Sequence, residues 1–147
     1  MSDRSAAGRS NAPPMVRPCS ETVAVSIRAD YCLDMETADL HDALETLGAI
    51  LASRGHHYDV VLIGGGALLP LGLIDRPTRD LDIVSRIEGE RWAEGEPMPG
   101  PLAQAIADVA SALDLDGRWL NAGPTSLLRF GLPGGFADRV VTQTYAR

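Results

Sequence analysis

Four consecutive apolar residues, Val60-Val61-Leu62-Ile63, run directly into Gly64-Gly65-Gly66. A second run, Asp80 to Val84, carries aspartates at positions 80 and 82 among apolar residues. The first run reads as a strand that must stop at the glycines, and Ala67-Leu68-Leu69 reads as a short helix beyond them. The second run reads as a strand carrying Asp80 and Asp82. Side chains alternate across a strand, so both carboxylates should face the same side, about 7 Å apart at ~3.3 Å rise per residue. Like charges so held need a neutralising partner, either an arginine or a metal. A hard cation such as Mg²⁺ takes oxygen ligands, typically one or two carboxylates plus substrate phosphates. Glycines between a strand and a helix let backbone amides approach a phosphate closely. Metal on one side and amides on the other would make a triphosphate cradle.

Ile63-Gly64-Gly65, a short helix, then Asp80-Leu81-Asp82 resembles the signature of the nucleotidyltransferase superfamily of the DNA polymerase beta type. Gly-Gly-x-Ala-Leu from Gly64, followed by Arg-x-Thr-x-Asp-x-Asp from Arg76, resembles more closely the small bacterial nucleotidyltransferase-like proteins that include abortive-infection toxins. The resemblance spans roughly residues 37 to 147. Trp119-Leu120-Asn121 and Leu132-Pro133-Gly134-Gly135-Phe136 are weaker landmarks.

The resemblance implies an α/β or α+β fold, a nucleotidyltransferase-like mixed sheet flanked by helices and incomplete at the C-terminus. It implies Asp80 and Asp82 as catalytic metal ligands for Mg²⁺, with a two-ion site as the fuller form. It gives Gly64, Gly65 and Gly66 as the nucleotide phosphate loop and Arg76 as a contact to the triphosphate. The implied activity is transfer of a nucleoside monophosphate from a nucleoside triphosphate to an acceptor hydroxyl on an RNA end, a protein or a small molecule.

Two departures bear on activity. Many active members have Ser or Thr after the first glycine, where this chain has Gly65. The family also places a third carboxylate on a later strand beside the first two. Arg139-Val140-Val141-Thr142-Gln143-Thr144-Tyr145 reads as the start of such a strand, but its only nearby acid, Asp138, precedes the apolar run and reads as a solvated loop residue. Either the remainder of a longer chain holds that acid, or the protein is a catalytically degenerate nucleotide-binding or partner-binding module, of the kind found in a toxin–antitoxin pair.

Other motifs are weaker. The glycine run partly fits the dinucleotide fingerprint, but the third glycine would fall at Leu69, whose side chain would block the close helix–strand packing. Arg76 pairs equally well with Asp75 or Asp80 as with a phosphate, while Thr78 and Arg79 read as structural. His41, on a helix, and His56-His57, after Gly55, read as solvated. Trp92 and Trp119 read as packing anchors.

Composition narrows the classes. All 13 basic residues are arginine, which excludes a Schiff-base lysine and a P-loop lysine. A net charge of −7 argues against broad nucleic-acid binding through phosphate neutralisation. Cys19 and Cys32 lack neighbouring ligands at zinc spacing and read as reduced thiols. With no long apolar run and no apolar signal core, neither membrane insertion nor secretion is expected, and a cytoplasmic location follows by default.

Residues 1–20, rich in Ser, Ala, Gly, Pro and Arg, read as a disordered tail, leaving a domain over 21–147. Val23, Val25 and Ile27 alternate as a short strand. Leu40, Leu44, Leu47 and Leu51 predict a helix from Thr37 to Arg54, and Leu102, Ile106, Val109 and Leu113 predict one from Pro101 to Leu113. Residues 87–100, rich in Glu, Gly and Pro, read as a surface loop.

Overall fold

The computed structural model describes residues 34–145. The strand expected at Val23, Val25 and Ile27, the 1–20 tail and both cysteines lie outside that range.

Helix α1, Thr37–Ser53, turns Leu40, Ala43, Leu44, Leu47 and Leu51 into the core. Its start is fixed where Asp39 Oδ2 accepts the Glu36 N–H at 3.1 Å, satisfying a donor that the helix leaves free. Helix α3, Gly100–Leu113, buries Leu102, Ala105, Ile106, Val109 and Ala110 and ends at Asp114 in the left-handed conformation. Both helices match the periodicity in the sequence except at Leu113, which is exposed at the end of α3, because one apolar residue per turn has to find a common partner.

That partner is one face of a sheet. Strand β1, Asp59–Ile63, pairs antiparallel with β2, Leu81–Glu88. Leu81 and Ile83 of β2 join α1 and α3 in one apolar cluster, with Val60 and Leu62 packed against it. The β1–β2 register slips after Val61, so that Ser85 faces Val61 and Ile83 faces Leu62. An extra β2 residue at that point is a β-bulge.

Residues 87–100, expected as a surface loop, are not a loop throughout. Strand β3, Arg91–Glu94, forms an antiparallel hairpin with β2, Glu88 facing Arg91 across a two-residue Gly89-Glu90 turn. Gly89 has φ +65°, which suits the first central position of a hairpin turn and which a side chain would resist. The charged composition concealed a strand whose residues are half-buried or exposed.

After α3, Trp119 is buried at 1% exposure and its indole N–H donates to Ile106 O at 3.1 Å. The indole thus anchors the following strand, β4, Leu120–Asn121, to the helix. Strand β4 pairs parallel with the start of β2, Leu81 opposite Leu120 and Asp82 opposite Asn121. The result is an α+β architecture, an open and mainly antiparallel sheet with one parallel pair, flanked by helices. Two short helices complete it, α2, Gly65–Leu68, and α4, Leu127–Phe130.

The strand expected from Arg139 does not form. Ala137–Arg139 is a 3-10 turn and residues 140–145 run without strand pairing. The segment is held by a side chain, the Tyr145 hydroxyl lying 3.2 Å from His41 Nδ1. Its Val, Thr and Tyr residues favour a strand, but among the described residues no strand pairs with them. His41, expected to be solvated, is half-buried beneath that tyrosine ring.

Candidate functional site

Consecutive antiparallel strands bring the end of the first beside the start of the second. Ile63 therefore faces Asp82, and Gly64 emerges from β1 next to the carboxylate. A β-carbon on Gly64 would stand 3.6 Å from Asp82 Oδ2. Gly64 has φ +76° and ψ −164°, a conformation that essentially only glycine adopts. The turn from strand to α2 is thus made by a residue with no side chain, which lets the backbone lie directly against the acid.

The three glycines differ. A β-carbon on Gly65 would meet Ile74, Thr78 and the Arg76 guanidinium at 3.7–4.0 Å, ordinary contact distances. Gly66 is buried, and a β-carbon there would lie 2.4 Å from Leu81 Cδ2 and 2.8 Å from Asp80 O. Gly66 is therefore a packing glycine that lets α2 lie on the start of β2. Leu69, the position at which a dinucleotide fingerprint would need glycine, is a core residue at 3% exposure.

Asp80 precedes β2, which begins at Leu81, so only Asp82 is on the strand proper. Asp80 is exposed and Asp82 half-buried. Burial and the adjacent Asp80 charge push the Asp82 carboxyl above the usual aspartate range, while the Asn121 amide acts the other way. The acids are close enough to repel.

Thr78 positions Asp80. Its hydroxyl donates to Asp80 O at 3.0 Å, and its backbone exchanges two hydrogen bonds with Met35. Arg79 pairs with Asp34 at 3.2 Å. Arg76 forms no ion pair with Asp75 or Asp80 among the described residues, and its guanidinium lies beside Gly65. Asp138 lies in the exposed Ala137–Arg139 turn. His56 and His57 are exposed, His57 3.1 Å from Asp59.

Asn121 is a site residue that the sequence reading left without chemistry. Its side-chain nitrogen is 3.4 Å from Asp80 Oδ2, a long hydrogen bond, and also 3.4 Å from Leu81 O and from Arg118 O. Its Oδ1 accepts the Gly123 N–H at 2.9 Å. A backbone N–H can only donate, so this bond fixes the amide orientation and turns the NH₂ group toward the carboxylates. The available signal was Trp119-Leu120, an apolar pair short enough to be a buried strand beside β2.

The oxygen-only donor pair, the repulsion between its members and the side-chain-free space at Gly64 fit a hard divalent cation. Among the described residues no third His, Cys, Asp or Glu joins the pair. A groove of about 660 Å³ starts at Gly64 and Gly66 and runs between α1 and β1, under Val140–Tyr145.

Comparison with protein-family profiles, with curated proteins and with solved structures returns no match. Among the described residues no helix is long and apolar enough to cross a membrane.

Proposed function

We propose that this domain binds a Mg²⁺–nucleoside triphosphate and is of the nucleotidyltransferase type. The observation that carries the reading is the convergence of four features at one end of the sheet. These are the Gly64–Gly65 backbone, the Arg76 guanidinium, Asp82 on β2 and Asp80 just before it. The phosphates would lie against the glycine backbone and Arg76, whose planar group suits phosphate oxygens. The bound Mg²⁺ would supply charge neutralisation of the phosphates and of the leaving pyrophosphate.

The chain's own part would be orientation. Asp80 and Asp82 would hold the cation, and Arg76, whose guanidinium lies beside Gly65, would bind the triphosphate. The reaction would be attack of an acceptor hydroxyl on the α-phosphorus with release of pyrophosphate, its rate coming mainly from positioning and preorganised charge. The acceptor would be an RNA end, a protein side chain or a small molecule.

A second reading is favoured by Asn121. A neutral amide lies on the strand beside Asp82, at the kind of position where the resemblance puts a third carboxylate. The domain would then hold nucleotide without turning it over, as a nucleotide-binding or partner-binding module, with a toxin–antitoxin pair as one setting.

Thermal unfolding with ATP, GTP, CTP and UTP, each with and without Mg²⁺, tests the common part. Ligand at about a hundred times its dissociation constant adds roughly 2.7 kcal/mol. A Mg²⁺-dependent rise in Tm that Asp80→Asn and Asp82→Asn abolish is the expected result. No shift with any nucleotide refutes nucleotide binding. Pyrophosphate release with the nucleotide so identified separates the two readings.

A further inference from the structure

We propose that Asn121 limits this site to a single divalent cation, by standing as a neutral amide where a third anionic ligand would stand. The inference rests on the reading of Asp80 and Asp82 as cation ligands. It adds which residue sets the charge and the capacity of the site.

Three observations combine. The parallel register sets Asn121 directly opposite Asp82 on the neighbouring strand, and its nitrogen reaches Asp80 as well. One side chain therefore stands beside both acids. Its oxygen, the only atom able to ligate a cation, is engaged by the Gly123 N–H at 2.9 Å. Rotating the amide to offer that oxygen would bring its NH₂ against the Gly123 N–H, donor against donor.

The anionic ligands that the chain offers are then Asp80 and Asp82, and no further acid, histidine or cysteine joins them among the described residues. Two carboxylates carry the charge that one divalent ion neutralises. A second ion held nearby by this chain would face an amide donor and repulsion from the first ion. Asn121 is a positioning residue, holding the carboxylates in place and withholding a third negative charge.

The test uses Mn²⁺ alone, with stoichiometry and affinity measured by electron paramagnetic resonance and calorimetry on the full chain. The wild-type protein should bind one Mn²⁺ at the site. Asn121→Asp should bind the first ion at least about tenfold more tightly, since a unit charge about 4 Å from a divalent ion exceeds that factor even in bulk water. Its Tm should fall in EDTA and recover on adding Mn²⁺ by more than the wild-type value rises. Asn121→Ala should keep one ion with affinity within about threefold of wild type.

Two ions bound by the wild-type site, or an Asn121→Asp affinity equal to wild type in a protein that folds, overturns the inference. A purely structural Asn121 would lower Tm in both variants and leave Mn²⁺ affinity unchanged. Should Asn121→Asp fail to fold, the wild-type stoichiometry still decides, since two ions bound there overturn the inference. Absence of Mn²⁺ binding in the wild type overturns the inference, while the proposed nucleotide binding is judged separately by the Mg²⁺–nucleotide shift in Tm.

Discussion

Substituting Gly66 by alanine adds one carbon where the structure has no space. That carbon would sit 2.4 Å from Leu81 Cδ2 and 2.8 Å from the Asp80 carbonyl oxygen, against about 3.5–4.0 Å for unstrained carbon contacts. Leu81 cannot retreat, being fully buried between α1, α3 and the sheet, and the Asp80 carbonyl is backbone. The start of β2 must therefore move, and overpacking of this kind costs about 1–3 kcal/mol. For a chain of 147 residues, roughly 4 °C per kcal/mol gives a fall in Tm of about 4–12 °C.

Gly65→Ala is the matched control. Its added carbon meets nothing closer than 3.7 Å and its backbone is not left-handed, so Tm should stay within about 2 °C of wild type. The same methyl lies 4.0 Å from the Arg76 guanidinium and should weaken Mg²⁺–nucleotide binding without loss of fold. Calorimetry on both variants, with and without nucleotide, measures all four quantities. Equal Tm for Gly66→Ala and wild type, or a larger fall for Gly65→Ala, would refute the assignment of packing to one glycine and ligand approach to the other.

The elevated Asp82 carboxyl gives a pH dependence of definite sign. Its folded value lies above the unfolded value of about 3.9, so the unfolded state ionises first and stability is lost as pH rises through the folded value. In EDTA, Asp82→Asn should therefore gain on wild type between pH 4 and pH 7, and a constant difference in Tm across that range would count against it. Trp119→Ala should cost about 3–5 kcal/mol, as loss of a large core aromatic does, because the indole is buried and hydrogen-bonded to α3. A loss below about 1 kcal/mol, typical of a surface change, would show that β4 does not depend on that anchor.

Much of the fold was legible because its signals are local. Leu40, Leu44, Leu47 and Leu51 define a helix face by their spacing alone, and the apolar run ending at Gly64 defines a strand and its stop. The β3 strand was hidden for a physical reason. Arg91 and Glu94 sit at the sheet edge, where Arg129 can pair with Glu94 at 2.7 Å, so their composition answers to solvent and ion pairs instead of to burial. The segment 139–145 erred the other way. Strand-forming residues declare a preference, but hydrogen-bond partners come from elsewhere in the chain.

The candidate site divides along the same line. The sequence by itself determined the glycine turn, the acid pair and the absence of lysine, each a matter of residue type at short range. Which glycine packs and which lies against the acid depended on where Leu81 and Asp82 lie across the strand pair. Asn121 depended on a parallel pairing between residues some 40 positions apart. Contacts of that separation are set by how α1 and α3 close over the sheet, and only the tertiary structure decides them, because the free energy of burying that shared face selects the register and leaves no local mark at the residue that it places.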